Sequence, residues 1–218
     1  MTGLIAPLRN ALHRLRRDES GLALIEFAYS LPILMVLGLG GIELANYAIT
    51  HMRVSQLAIS LADNSSRFKE ELVGSNPIIR EYDVEQAFMG AEKQASGLDF
   101  AEHGRMILSS LERNSSGGQW IHWQRCAGEA PYSSTYGEED DGKYGTGMTG
   151  MGPPDRRVAA EQDYAIMFVE VFYDYQPIAF GELLPSGPIH KIAAMYVRDD
   201  RDLSKIYASP GVTPATCD

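Results

Sequence analysis

The chain has 218 residues, 44% hydrophobic and 22% charged, with a formal net charge of −10. That length accommodates one ordinary domain, or a small domain with an attached element. The charge is split: residues 1–21 hold Arg9, Arg14, Arg16 and Arg17 against Asp18 and Glu19, so +2 on that stretch leaves −12 on the rest, an acidic surface unsuited to gripping nucleic-acid phosphates.

The first expected element is an apolar helix. From Leu22 to Ile49 the only formal charges are Glu26 and Glu43. As a helix this stretch reaches about 42 Å, more than the hydrocarbon thickness of a bilayer. Its charge-free part, Phe27 to Ile42, reaches only about 24 Å, which puts both glutamates near the interfaces. The arginines precede the apolar run, so the N-terminus is expected in the cytoplasm and the chain after about Ile49 outside it. A cleaved secretory signal fits poorly, because the run exceeds the usual h-region of about 7 to 15 residues, contains an acid and is followed by no clear A-x-A site. Within the helix, Pro32 removes a backbone hydrogen bond and crowds the carbonyl of Ala28; this predicts a kink or local unwinding that Ser30 or neighbouring helices can repair. Gly38, Gly40 and Gly41 permit close helix approach without forming a clear small-xxx-small face.

Past Ile49, apolar residues at Met52, Leu57 and Leu61 keep a helical spacing until Asn64-Ser65-Ser66, as expected of an amphipathic stalk. A second helix is predicted from Asp83, taken as N-cap with Gln86 three residues on, with Val84, Ala87, Phe88 and Ala91 along one face to cover a sheet. Strands are expected at 105–111 and 120–125, joined by the hairpin signal Asn114-Ser115-Ser116-Gly117-Gly118, and at 165–175 and 192–198. In the third, Val169, Val171, Tyr173 and Tyr175 alternate with Glu170, Phe172 and Asp174, which predicts one face more buried than the other. The stretch at about 129–163 is rich in glycine and acid and reads as a long surface loop, with Met148 and Met151 as exposed filler. Its run Glu138-Glu139-Asp140-Asp141 lacks EF-hand spacing and reads as a solvated acidic turn, so no metal and no cofactor is expected.

The fold class expected is therefore α+β: a long N-terminal transmembrane and stalk helix followed by a small, helix-covered antiparallel sheet. The divisions are 1–21, a cytosolic leader; 22–63, membrane helix and stalk; and 64–218, an exported domain. Two cysteines, Cys126 and Cys217, allow one bridge in such a domain, the alternative being two thiols in a loose tail. The bridge closes a loop of about 90 residues, worth a little over 4 kcal/mol in the chain-entropy model. The five histidines, His13, His51, His103, His122 and His190, have no ligand spacing. No G-x-S-x-G, H-E-x-x-H or glycine-rich phosphate loop is present, and an enzyme is not expected.

The string "GLALIEFAYSLPILMVLGLGGIELANYA", residues 21–48, resembles the N-terminal signature of the TadE-like (TadE/TadG) family, pseudopilins of the tight-adherence (Flp) pilus system. The similarity lies in Gly21, the Glu26-Phe27 pair, Leu31-Pro32, and Glu43 beyond a glycine-rich patch. "WIHWQRCAG" at 120–128, "VEVFYDYQPI" at 169–178 and "AAMYVR" at 193–198 are similar to strand segments of the exported part, whereas the insertion between Cys126 and Tyr164 departs from it. The resemblance implies cleavage after Gly21 by a membrane-embedded prepilin peptidase. It also implies a bacterial inner-membrane protein, single-pass, with a cytoplasmic N-terminus and a periplasmic domain. Its partners would be other pilins, pseudopilins and inner-membrane assembly proteins, with a place in the pilus or at its base. Cleavage would free a cationic amine at Leu22, one helical turn from the Glu26 carboxylate. An acid at membrane depth costs around 2.5 to 3.5 kcal/mol on insertion scales, so such a partner, in the same or a neighbouring subunit, gives Glu26 its reason. The other reading is an uncleaved bitopic envelope protein whose exported domain binds a ligand or partner.

Overall fold

A computed structural model describes residues 20–68, 76–179, 184–185, 187–198 and 200–217. The expected leader and its arginines lie at residues 1–19, outside the described residues, apart from Ser20 and Gly21. The order of elements is α1 (Ser20–Ser66), α2 (Glu81–Gln94), α3 (Phe100–His103), β1 (Gly104–Arg113), β2 (Gln119–Ala127), β3 (Ile166–Tyr173) and β4 (Ile189–Tyr196). The fold is α+β: one long apolar helix, then a four-stranded open antiparallel sheet in the order β2-β1-β3-β4 with helices.

The chain divides into two compact units. Among the described residues, the first takes α1 as far as Asn46 together with residues 177–179. Here α1 is apolar on every side and stands exposed: Leu24 is 73% accessible and Leu37 66%. It is long and apolar enough to cross a membrane, and nothing in its most apolar stretch is buried. The helix runs through Pro32 without interruption. Ser30 Oγ donates to the carbonyl of Phe27 at 3.3 Å, so it does not serve the Ala28 carbonyl that Pro32 leaves without its helical donor.

The second unit holds the rest of α1, from Tyr47, with the sheet. Beyond Tyr47 the face of α1 that packs inward is Thr50, Val54, Leu57, Ala58, Leu61, Ala62 and Ser65, spaced three and four apart. Leu57 and Leu61 belong to the expected stripe, but Ile49 and Met52 are exposed, because the small and β-branched residues define the buried face instead. Val84, Ala87, Phe88 and Ala91 of α2 are buried on the same core. The helix starts earlier than expected, with Arg80 as N-cap. Asp83 is its third residue, and its carboxylate accepts the Arg80 N–H at 2.9 Å. Pairing of Arg80 with Tyr207, where the Glu81 N–H donates to the Tyr207 carbonyl, fixes that earlier start.

Beneath the helices lie Met106 and Leu108 of β1, Trp123 of β2, and Met167, Val169, Val171 and Tyr173 of β3. The pairing Ser110↔Trp123 followed by Leu111↔Ile121 leaves His122 without a partner, a bulge in β2. The extra residue breaks the two-residue alternation, so Ile121 and Trp123 enter different cores. Asn114 closes the β1–β2 turn: its Oδ1 accepts the N–H groups of Ser116 and Gly118, and Gly117 takes φ +86°.

The opposite face of the sheet is covered too, by the 129–163 segment, which corrects the reading of Met151 as exposed filler on a surface loop. Met151 is fully buried and Ala160 nearly so, packed with Leu111, Ile121, Ile166 and Phe168. Tyr132 stacks on Phe172 at 5.0 Å and Tyr136 meets Phe168 edge-on at 5.5 Å. Gly142 and Gly150 lie so close to the backbone carbonyls of Gln119 and Val158 that no Cβ fits, which explains part of the glycine content. Every residue of β3 is consequently buried, Glu170 included, where the alternation predicts one face more buried than the other. Met151→Ala should cost about 2 to 5 kcal/mol in urea unfolding of the purified protein, whereas Tyr144→Ala, 86% exposed in the same segment, should stay within about 0.5 kcal/mol.

Candidate functional site

The residues expected to direct processing lie on the first turns of α1 as described. Gly21, Leu22, Glu26 and Phe27 all lie on exposed helix, with Leu22 60% and Phe27 56% accessible. Leu22 and Glu26 are four residues apart, which sets them on one side of the helix. The Cβ of a residue replacing Gly21 would meet nothing within 4 Å, so the helix itself does not demand glycine there.

The second acid of the apolar helix is in another state. Glu43 is only 2% accessible, and its Oε2 accepts the N–H groups of Ile178 and Ala179 at 2.9 and 2.8 Å. It thereby ties the β3–β4 connection to α1 within the first unit. Sequence reading gave Glu43 a place near an interface but no partner. The partner lies 135 residues away as backbone, which no residue pattern announces.

Within the second unit the polar chemistry gathers at the edge formed by β2 and the 129–163 segment. Arg125 donates to Glu81 through Nε and Nη2, the closest contact being 2.6 Å, and through Nη1 to Glu139 at 2.9 Å. Burial acts against the Arg125 charge, but the bonds and charges of Glu81 and then Glu139 outweigh it and raise its pKa. Breaking such a pair from one side leaves an uncompensated buried ion, so Glu81 and Arg125 act as one unit. Glu139 also accepts the Gln124 N–H at 2.9 Å, which makes the expected solvated acid an anchor of its own loop.

Glu170 is wholly buried in the centre of β3. Its carboxylate accepts from Ser134 Oγ and from the Thr135 N–H at 3.0 Å, and His190 Nε2 lies 3.3 Å away in ion-pair range without hydrogen-bond geometry. The acid therefore lies between hydroxyl and imidazole. In a Ser-His-Asp triad the imidazole meets the hydroxyl; here the carboxylate does, and by accepting from Ser134 and Thr135 it anchors the loop to β3. Nearby, burial and the Glu170 charge raise the Tyr136 pKa.

Cys126 and Cys217 are joined, with Cα atoms 4.9 Å apart, and the Cys126 N–H donates to the Ala215 carbonyl, so the C-terminal tail lies along β2. Beside the bridge is a cavity of about 440 Å3, lined in part by Gln124, Ser134, Glu139 and Thr216. Among the described residues no group of three or more His, Cys, Asp or Glu side chains converges to hold a metal ion. His122 forms a pair with Glu112 at 2.8 Å and stacks on Trp120 at 4.0 Å.

Comparisons with known proteins return nothing: no protein-family model, no curated protein and no solved structure matches the chain.

Tyr132 donates its hydroxyl to Asp174, and that bond, with burial and the carboxylate charge, pushes its pKa up to about 12. Because the folded value exceeds the ordinary 10, the stability gained is fully present below pH 10 and lost as pH rises through about 12. Tyr132→Phe should abolish that part of the alkaline loss, so unfolding midpoints of wild type and variant should converge between pH 10 and 12.

Proposed function

We propose that this chain is a prepilin-like minor pilin or pseudopilin that acts in assembly of a tight-adherence pilus and has no enzymatic role of its own. The observation that carries the reading is the long helix α1, exposed and apolar on all sides, with one acid at the fifth position after Gly21. The residue string at 21–48 supports it by resemblance to TadE-like proteins. An inner-membrane prepilin peptidase would cut after Gly21 and leave α1 on the mature protein. The new amine of Leu22 and the carboxylate of Glu26, in the same or a neighbouring subunit, would then neutralise one another at a depth where either charge alone is costly. The helix would hold the protein in the inner membrane with its C-terminal domain in the periplasm. Other pilins, pseudopilins and assembly proteins of that membrane would be its partners. The Cys126–Cys217 bridge is of a kind that persists in oxidising compartments such as the periplasm.

The cavity beside the bridge favours a second reading: an uncleaved envelope protein whose exported domain binds a small polar ligand. The N-terminus of the protein isolated from its host separates the two. Mass spectrometry should find Leu22 first, and Glu26→Ala should reduce cleavage or pilus assembly. A mature protein beginning near residue 1, with assembly unchanged in the variant, supports the ligand-binding reading instead.

A further inference from the structure

Between β3 and β4 the chain reads "DYQPIAFGELLPSGP", residues 174–188, a connection unusually apolar for one between antiparallel neighbours. Of its described residues, 177–179 group with the apolar portion of α1. Ile178 is 66% accessible, and Ile42 and Leu44, on either side of Glu43, are 57% and 62% accessible. Exposed apolar side chains thus lie on two backbone segments joined at a single carboxylate.

Resting on the membrane reading given above, we propose that the start of the β3–β4 connection, residues 177–179, is a second membrane contact: Ile178 enters the outer interfacial layer of the bilayer, anchored there by Glu43. The partner is the lipid surface that surrounds α1, because the apolar exposure of Ile178 continues that of the helix. Depth follows from helix geometry. Glu26 and Glu43 are separated by about 25 Å of rise, so a bilayer centred on the apolar run brings Glu43 to its outer edge. Irregular backbone at that depth is tolerated only when its polar groups are satisfied by protein or water. Glu43 accepts both the Ile178 and Ala179 N–H groups, which removes that cost and leaves Ile178 exposed. It also explains why an acid stands at this end of the apolar run: its charge is met by two amide donors.

The test uses the full, oxidised chain, in which both native cysteines are bridged. Ile178→Cys and Leu34→Cys variants, each carrying an environment-sensitive fluorophore, are reconstituted in vesicles containing lipids with quenchers at shallow or deep acyl positions. The Ile178 label should be quenched most by the shallow probe and the Leu34 label most by the deep one. Introducing Glu43→Gln beside the Ile178 label should reduce the shallow quenching, since a neutral acceptor holds the two N–H groups less strongly than a carboxylate. Quenching at Leu34 with none at Ile178 overturns this proposal and leaves the membrane reading standing. Quenching at neither overturns both. Unchanged quenching in the Glu43→Gln protein overturns the anchoring by Glu43.

Discussion

A single uninterrupted helix has to satisfy two surroundings, and the remainder of the molecule follows from how it does so. From Leu22 to Leu44 most large side chains of α1 point outward with no protein against them, a condition that costs heavily in water and nothing in hydrocarbon. From Thr50 to Ser65 the same helix offers one narrow face of small and branched residues to the core above the sheet. No change in backbone marks the transition; the change is in which residues find partners. The second unit thus takes the C-terminal part of the helix into itself, with Val54, Leu57 and Leu61 as part of its core.

The sheet is buried on both faces by two different means. Helical residues with regular spacing cover one face. The 129–163 segment covers the other with scattered anchors, Tyr132, Tyr136, Met151 and Ala160, and fastens itself through ionic and polar contacts to Glu170, Gln124 and Arg125. Where regular structure is absent, buried charged groups do the positioning: Glu170 holds the start of the segment and Arg125 holds Glu139 while engaging Glu81 at the head of α2. Arg125, Glu81 and Glu170 are each expensive to bury without a partner, so these contacts support one another.

Much of this architecture was legible in the residues. Apolar length disclosed α1, three-and-four spacing disclosed the buried face of α2, and alternation with glycine-rich punctuation disclosed four strands in nearly the observed positions. What escaped has physical causes. Glycine and acid in 129–163 suggested solvent exposure, yet Gly142 and Gly150 are there for close backbone approach, and Met151 is an isolated apolar residue whose burial depends on a distant strand. The bulge at His122 is one residue of excess within a strand and leaves no compositional trace. Of the candidate site, Gly21, Leu22, Glu26, Phe27 and Pro32 could be named because their meaning is local to one helix. The partners of Glu43, Glu81 and Glu170 lie far along the chain, and in the case of Glu43 are main-chain groups, so spacing holds no information about them.

The account turns on the surroundings of the apolar part of α1, and the most direct measurement is extraction of membranes from host cells with alkaline carbonate, which strips peripheral proteins and leaves integral ones. Retention of the chain in the membrane pellet is the result expected of a helix seated in hydrocarbon. Recovery in the carbonate supernatant, with the protein folded and monomeric, would contradict it, because that helix would then have to stand bare in water.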